Sequence, residues 1–346
     1  MKTFLLPQHG NFYKANLHCH TTVSDGLLSP EEVKKAYMDR GYSIVAYTDH
    51  NVFIDRSDLT EAGFLALNGY ELDISPEEND SELNYIKTCH VCYIALDPNN
   101  LFTDFYHRTK YYTGNEATYR DRIIYDHNAP DVERIYTPQF ISYLMETGRE
   151  KGFFVTYNHP TWSMETVNEY TNYHSMHAME ICNYSSAVAG YDEYNEHEYD
   201  DMLRHGERIF CIATDDNHNF HPLESPHCDS FGAFTVIKAD SLEYKTITNA
   251  LVNGNFYASC GPEIRELWFE DGFIHINCSD ARCIRMATGR RRSCAEYGKD
   301  GNAVNSASFK VEYEDAYVRL TVVDKAGKCA YTNAYFTDKL FNGAYK

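Results

Sequence analysis

The sequence predicts an α/β fold, a barrel of alternating strands and helices followed by a small all-β domain. Over residues 1–260, short apolar runs typical of strands alternate with helix-like segments, a pattern that favours βα units and a parallel barrel. Polar residues recur where the apolar runs end, and in barrels of this kind the chemistry lies at the carboxyl ends of the strands. From about residue 261 the pattern changes to short alternating strands.

The first helix has the clearest boundaries. Ser29 suits the N-cap, Pro30 suits the first turn, and Glu31 and Glu32 lie at the positive end of the helix dipole, whereas Gly41 ends the helix. The other elements are read in chain order. The predicted strands cover residues 13–20, 42–48, 64–71, 89–96, 153–159, 179–183, 209–218 with its exit loop, and 234–237, and the predicted helices cover 33–40, 138–151, 199–205 and 241–253.

Residues 97–137 interrupt this alternation and are rich in Tyr, Arg and Asn. An insertion of this length in a barrel is expected to be a lid or a substrate-shaping element, with a surface excursion as the alternative. Residues 261–346 predict a β-sandwich-like domain. Its strand signals lie at 267–277, with a tight turn at Glu270-Asp271-Gly272, and at 309–313, 318–323 and 330–336.

Composition limits the function classes. The chain has 51 acidic and 31 basic residues and a formal charge of −20, which argues against a nucleic-acid backbone as partner. The 11 cysteines are scattered, no signal peptide is recognised, and no apolar run approaches the length of a membrane span. We therefore expect a cytoplasmic protein with free thiols and no membrane partner.

A His-x-His pair gives the first chemical signal. In an extended strand His18 and His20 point to the same face, so both imidazoles are able to bind one metal ion, and Cys19 points away. The pair alone is weak evidence. Further imidazoles and acids at the ends of later strands strengthen it, and His50, Glu71 and His159 are the first of these.

Nine residues in all have side chains suited to metal binding at strand ends or motif positions. They are His18, His20, Asp25, His50, Glu71, His90, His159, Asp216 and His218. Imidazole and carboxylate groups suit Zn, Mn or Fe better than Ca or Mg. The set is large enough for two or three divalent ions that share one bridging carboxylate.

With these motifs in order, residues 11–257 resemble the PHP (polymerase and histidinol phosphatase) family. The resemblance implies a distorted seven-stranded (β/α) barrel, and the metal-dependent phosphoesterase branch with a C-terminal β domain is the nearest pattern. The matching motifs are His18-Cys-His20 with Asp25, Thr48-Asp49-His50, Glu71, His90, Asn158-His159-Pro160 and Asp216-Asn-His218. The doubled acid Asp215-Asp216 is a departure, and Asp216 is aligned because it keeps the spacing to His218.

The resemblance also implies how the ligands are shared among three ions. The first ion is expected at His18, His20, Glu71 and Asp216, the second at Glu71, His90 and His159, and the third at Asp25, His50 and His218. Glu71, Asp216, His218 and Asp49 are the predicted catalytic residues. Asp49 is expected either to orient a ligand imidazole or simply to cap a loop.

The function that follows is hydrolysis of a small phosphorylated metabolite by a metal-activated water, with phosphate as a product. Arg108, Arg120 and Arg122 in the insertion are candidate phosphate-binding residues, as is Lys110. A metal-dependent hydrolase of a non-phosphate bond, as in amidohydrolases, and a non-catalytic metal-bound binding module are the alternatives. Oligomeric state is left open.

Overall fold

The computed structural model describes residues 2–76, 86–299 and 302–345, which form a mixed α/β structure with a large sheet and few helices. The strands are β1 (Thr3–Phe4), β2 (Asn11–Asn16), β3 (Ile44–Tyr47), β4 (Leu65–Ile74), β5 (Cys89–Ala95), β6 (Phe153–Tyr157), β7 (Ala178–Asn183), β8 (Phe210–Thr214), β9 (Phe234–Ala239), β10 (Phe256–Ser259), β11 (Ile264–Glu270), β12 (Phe273–Ala281), β13 (Cys283–Thr288), β14 (Cys294–Tyr297), β15 (Val304–Lys310), β16 (Tyr317–Val323), β17 (Cys329–Tyr331) and β18 (Tyr335–Phe336).

The helices are short, and none in the described ranges is long and apolar enough to cross a membrane. They are α1 (Pro30–Met38), α2 (Pro138–Glu150), α3 (Val167–Tyr170), α4 (Tyr184–Val188), α5 (Glu196–Arg204), α6 (Tyr244–Val252) and α7 (Thr337–Phe341). The predicted start of α1 is confirmed, because the Ser29 hydroxyl accepts from Glu32 N and the Glu32 carboxylate accepts from Ser29 N at 2.8 Å.

The first half of the large sheet is only partly parallel. Strands β2, β3 and β4 pair in parallel, as do β6, β7 and β8, but β5 is antiparallel to both β4 and β6. The prediction of a fully parallel set was wrong at β5, which runs directly back along β4 with His90 opposite Asp73. A parallel neighbour would instead need a crossover to the far end of the strand. Because β5 runs in the opposite direction, His90 at its start lies beside the carboxyl end of β4.

The sheet is not closed by a continuous backbone ladder among the described residues, so the predicted seven-stranded barrel stays a prediction. Between β8 and β9, the Thr235 hydroxyl takes the place of backbone partners: it accepts from Ala213 N at 3.2 Å and donates to the Ala213 carbonyl at 3.0 Å. Beyond the strand ends, Asp216 N donates to the His18 carbonyl and His20 N to the Asn217 carbonyl, each at 3.0 Å. The segment after β8 therefore lies beside the segment after β2.

The C-terminal strands belong to two sheets. Strands β1, β11, β12 and β15 form a four-stranded sheet, whereas β13, β14, β16 and β17 extend the large sheet through the pairing of β17 with β10. Apolar side chains from both sheets, such as Leu267, Ile276, Met286 and Leu320, form one buried cluster. The predicted turn at Asp271-Gly272 joins β11 to β12. The division into residues 1–260 and 261–346 remains a prediction.

Residues 97–137 contain irregular backbone, an isolated β-bridge between Phe102 and Ile124, and two single-turn 3₁₀ helices, Glu116–Thr118 and Arg120–Arg122. One end of this insertion contacts the loop that follows β2. Asn115 N donates to the Ser24 carbonyl at 2.6 Å, and Asn115 Nδ2 donates to the Thr22 carbonyl at 3.2 Å. The insertion therefore packs on the segment that carries Asp25.

Candidate metal centre

Glu71, on β4, is the central acid of the cluster. Its Oε1 lies 3.1 Å from His18 Nε2 and 3.2 Å from His90 Nδ1, and its Oε2 lies 3.3 Å from both His20 Nε2 and His50 Nδ1. His159 Nε2 is 3.6 Å from Oε1. Five imidazoles from four segments therefore surround one buried carboxylate.

Two further acids complete the cluster. Asp216 Oδ1 lies 3.1 Å from His18 Nε2 and 3.0 Å from His20 Nε2, and its Oδ2 lies 3.8 Å from His159 Nε2. Asp25 approaches the other side of His20, with its Oδ1 3.6 Å from His20 Nδ1. Its Oδ2 lies 3.4 Å from His218 Nε2 and 3.8 Å from His50 Nε2. The structure thus brings all nine sequence-predicted ligands together.

The grouping differs in part from the implied three-ion scheme. Asp25, His50 and His218 lie together as expected for the third ion, joined by His20. Glu71 and His90 group with His50, whereas His159 groups with His18 and Asp216. Since one side chain serves neighbouring groups, the number of ions and the exact sharing of ligands remain predictions.

Several buried polar atoms in the cluster lack a hydrogen-bond partner. They are Oε2 of Glu71, Oδ1 of Asp216 and Nδ1 of His50. A buried polar atom without a partner costs free energy, and a buried charge costs much more unless it is paired or bound to a metal. Divalent cations bound in the cluster would satisfy these atoms, whose chemistry fits Zn, Mn or Fe. The donor set therefore fits the predicted metal ions.

The protonation balance of the cluster also favours positive charge. Burial opposes protonation of His20, but the carboxylates of Asp216 and Glu71, whose oxygens lie 3.0 and 3.3 Å from its Nε2, outweigh it and raise the pKa of His20 to about 10. Burial likewise works against ionisation of Glu71, yet the imidazoles of His18 and His90 hold its pKa well below the usual value. The carboxylates thus stabilise positive charge, which either protons or bound cations supply.

Outer hydrogen bonds orient the ligand imidazoles. His218 Nδ1 donates to the Asp216 carbonyl at 3.0 Å, which leaves its Nε2 facing Asp25. His18 Nδ1 lies 2.8 Å from Glu180 Oε1, and His159 Nδ1 lies 3.1 Å from Ser163 Oγ. Such partners fix the ring orientation and the nitrogen that is free to bind a metal.

Glu180 is the functional residue that the sequence reasoning missed. It also accepts hydrogen bonds from His159 N at 2.9 Å, Asn183 Nδ2 at 2.8 Å and Thr214 Oγ1 at 2.6 Å, so it connects two ligand segments. The available signal was a single acid in the middle of the short strand at 178–183, whose residues are all buried. A buried acid in a strand needs several partners.

The two consecutive acids have separate environments. Asp215 accepts from Tyr37 Oη at 2.8 Å and from the backbone N–H groups of Phe231, Gly232 and Ala233 at 2.8 to 2.9 Å. Only Asp216 faces the ligand imidazoles, as its alignment predicts. Its φ of 52° turns the chain between the two side chains, and strained backbone of this kind is common at functional sites.

Asp49 lies beside the loop that follows His20. Its Oδ1 accepts from Thr21 N at 2.7 Å and from Ser24 Oγ at 3.1 Å, and Arg56 Nη2 lies 3.3 Å from its Oδ2. These contacts correspond to the loop-capping alternative. Asp49 therefore supports Asp25 through the backbone that carries it.

The three predicted phosphate-binding arginines lie in the insertion and have different surroundings. Arg108 pairs with Asp131 at 2.6 Å, and Arg120 donates to the carbonyls of His107 and Lys110 at 2.8 and 2.9 Å. Arg122 is exposed. These contacts hold the insertion together, and the phosphate role remains a prediction.

A different arginine reaches the rim of the cluster. Arg134 Nη1 donates to Asp73 Oδ1 at 2.8 Å and Nη2 donates to Asn51 Oδ1 at 2.5 Å, and its side chain is almost fully buried. Asp73 is opposite His90 on β5, and Asn51 follows His50. Arg134 thus joins the insertion to two ligand-bearing segments.

Comparison with known proteins gives modest similarities. No family model matches the chain. A solved structure from Bacteroides vulgatus, described as a "two-domain protein containing predicted PHP-like metal-dependent phosphoesterase", is 14% identical with a TM-score of 0.43, over 96% of this chain and 98% of that one. The similarity to that structure extends over nearly the whole of both chains.

Two other similarities are more local. A 5′-3′ exoribonuclease of Haemophilus influenzae is 34% identical over 82 residues, which span 22% of this chain and 30% of that protein. An amidohydrolase from Chromobacterium violaceum, solved with bound sulfate and no metal, is 26% identical over 25% of this chain and 28% of that one, with a TM-score of 0.20.

Proposed function

We propose that this protein is a metal-dependent phosphoesterase that hydrolyses a small phosphorylated metabolite. The observation that carries the proposal is the convergence of nine imidazole and carboxylate side chains around Glu71, with buried ligand atoms that lack any other partner. Closed structural sites generally have four protein ligands and no open position. A cluster with more ligands than one such site uses, at the end of several strands, favours catalysis.

The proposal includes the fold and cofactors that the PHP resemblance implies. A distorted (β/α)7 barrel is supported by the two hydrogen bonds that place the segment after β8 beside the segment after β2. Two or three divalent ions, with Zn, Mn or Fe as the candidates, are supported by the imidazole-rich donor set.

Bound ions would supply Lewis acidity and lower the pKa of a water molecule. In the hydrolysis, the water oxygen forms a bond to phosphorus, the bond from phosphorus to the leaving oxygen breaks, and that oxygen takes up a proton. Glu71 and Asp216 would hold the ions close together, and Asp25 and His218 would hold the outer part of the cluster. Glu180, Asp49 and the other outer partners keep these groups in place.

A second function is favoured by the local match to the exoribonuclease, namely cleavage of a phosphodiester in RNA. The net charge of −20 argues against it, because affinity for a nucleic-acid backbone needs clustered basic residues. Two alternative hypotheses remain: a metal-dependent hydrolase of a non-phosphate bond, as in amidohydrolases, and a non-catalytic metal-bound binding module. They differ from the main proposal in the bond that is cleaved, or in whether any bond is cleaved.

The test is phosphate release by the purified protein after loading with Zn, Mn or Fe, from a panel of phosphomonoesters. RNA with a 5′ phosphate and a panel of amides and lactones are assayed in parallel. We expect phosphate release from at least one monoester. It should be lost in Glu71→Gln and His159→Ala, because each removes a group at the centre of the cluster.

His174→Ala is the matched control, since His174 is an exposed histidine paired with Glu207. It should keep full activity. Equal activity in wild type, Glu71→Gln and His159→Ala would contradict the proposal. Cleavage confined to RNA would establish the second function, and cleavage confined to amides or lactones would establish the amidohydrolase-like one.

A further inference from the structure

Exposed apolar residues follow the metal motifs in three separate loops. Leu27 comes two residues after Asp25, Trp162 comes three residues after His159, and Phe220 comes two residues after His218. All three side chains are exposed. Loops that converge on one polar cluster thus also present apolar side chains around it.

The two aromatic residues contact the ligand imidazoles directly. The Trp162 ring lies edge-to-face with His159 at 4.9 Å and with His90 at 5.4 Å between centroids. The Phe220 ring stacks on His218 at 5.4 Å with an interplanar angle of 24°. Since Trp162 is 38% exposed and Phe220 59% exposed, each ring retains surface that no side chain covers.

The backbone around both rings is well held. Asp229 accepts from the N–H groups of His218 and Asn219 at 2.7 and 3.0 Å, which anchors the segment before Phe220. Ser163 N donates to the His159 carbonyl at 3.0 Å, and Thr88 N donates to the Ser163 carbonyl at 3.1 Å, next to Trp162. A ring on an anchored segment binds a ligand with a small loss of conformational entropy.

We propose that the exposed rings of Trp162 and Phe220, on separate loops that border the cluster, bind a planar ring carried by the phosphoester substrate; this rests on the proposed function. A phosphoester held at the metal cluster must project its organic part past the ligand imidazoles, and these two rings border the imidazoles. Stacking suits a planar aromatic group and tolerates many ring types. A nucleobase and an aryl group share this chemistry.

The first experiment compares two matched pairs of substrates with the metal-loaded protein. Adenosine 5′-monophosphate and ribose 5-phosphate share the leaving oxygen and differ in the base, and benzyl phosphate and cyclohexylmethyl phosphate differ in ring planarity. We expect kcat/KM to favour the planar member of a pair by about 5- to 100-fold, the equivalent of one stacked ring. A larger ratio for the adenosine 5′-monophosphate pair indicates a nucleobase as the ring that is bound, and a larger ratio for the benzyl phosphate pair indicates an aryl group.

Substitutions then identify the rings responsible. Trp162→Ala and Phe220→Ala should each lower the ratio towards one, because each loss falls more heavily on the planar member of a pair than on its partner. Tyr297→Ala is the matched control, because Tyr297 is an exposed aromatic residue on β14 and should leave the ratio unchanged. Equal kcat/KM within both pairs in wild type, or a ratio that survives both substitutions, overturns the proposal.

A binding measurement separates failure of the subsite from failure of the hydrolase. The chain has two tryptophans, so Trp268→Phe leaves Trp162 as the single tryptophan. We expect adenosine 5′-monophosphate to quench its emission saturably and ribose 5-phosphate to leave it unchanged, whether or not phosphate is released. Absence of quenching by adenosine 5′-monophosphate would overturn the subsite even if the protein hydrolyses other phosphomonoesters.

Discussion

At the scale of single residues, the candidate metal cluster depends on groups that do not themselves face its centre. Glu180 is the clearest case, because one carboxylate contacts the His18 imidazole, the His159 backbone and the Thr214 hydroxyl. It therefore fixes the position of one ligand ring and the backbone of another. Such a positioning residue acts on metal affinity through the ligands that it holds.

We expect Glu180→Gln to weaken metal binding by about 10- to 100-fold while the protein stays folded, since the amide keeps the size of the side chain but loses the charge that faces His18. Competition with a chelator of known affinity measures this directly. Glu207→Gln is the matched control, because Glu207 pairs with His174 at 2.6 Å in another part of the surface. Equal metal affinity in the two variants would contradict the assignment.

Glu165 offers a test of buried charge away from the centre. Burial, the largest influence, raises the pKa of Glu165 to about 7, although Tyr136, Tyr157 and Tyr173 all donate to its carboxylate. In the unfolded chain the carboxyl ionises near 4.5. The folded protein therefore keeps a proton that the unfolded chain has lost between these two pH values.

The sign follows from that difference. The contribution of Glu165 to the free energy of unfolding is greatest below pH 4.5. It falls as the pH rises to about 7 and is constant above that pH, and the total decrease is roughly 3 kcal/mol. Denaturant unfolding measures the free energy of unfolding at pH 5 and at pH 8. Its decrease between the two pH values should be smaller in Glu165→Gln than in wild type. An identical pH dependence in the two proteins would rule out this role for Glu165.

At the scale of elements, the docked insertion is the feature most open to test. Gly114 has a φ of 58°, and a Cβ atom there would lie 2.1 Å from the Ser24 carbonyl oxygen. Gly114→Ala should therefore push the insertion away from the loop that carries Asp25. We expect kcat/KM to fall by up to about 100-fold, as small displacements near reacting groups do, with metal content unchanged.

Gly63→Ala is the control for this change. Gly63 also has a positive φ, 88°, but an added Cβ would meet no atom within 4 Å. It carries the backbone strain without the collision, so its kcat/KM should stay near that of wild type. If both variants lose activity equally, the contact between the insertion and the Asp25 loop has no part in function.

The comparison of elements also shows which features could be predicted from the sequence. Spacing and strand alternation predicted which side chains converge around Glu71, because a motif such as His18-Cys-His20 indicates which face each side chain occupies. Strand direction was not predictable in the same way: β5 is an apolar run whose composition is equally suited to either direction. Hydrogen bonds between residues distant in sequence could not be predicted either, such as those from Arg134 to Asn51 and from Thr214 to Glu180.

At the scale of the whole molecule, the cluster joins most of the first half of the chain. Its ligands come from segments that follow or belong to β2, β3, β4, β5, β6 and β8. Divalent ions bound there would connect these segments in the folded state and have no such site in the unfolded chain. Metal binding should therefore stabilise the whole fold, by about 4 kcal/mol when free metal exceeds its Kd 1000-fold.

Removal of the metal is the corresponding measurement. We expect a chelator to lower the Tm of the metal-loaded protein by several degrees and re-addition of Zn, Mn or Fe to restore it, because the ions bind only the folded state. In Glu71→Gln the Tm should differ little between the metal-loaded and the chelator-treated protein, since the central carboxylate has lost its charge. His174→Ala should respond as wild type does. A wild-type Tm that is the same with metal and with chelator would mean that the nine side chains converge without binding ions.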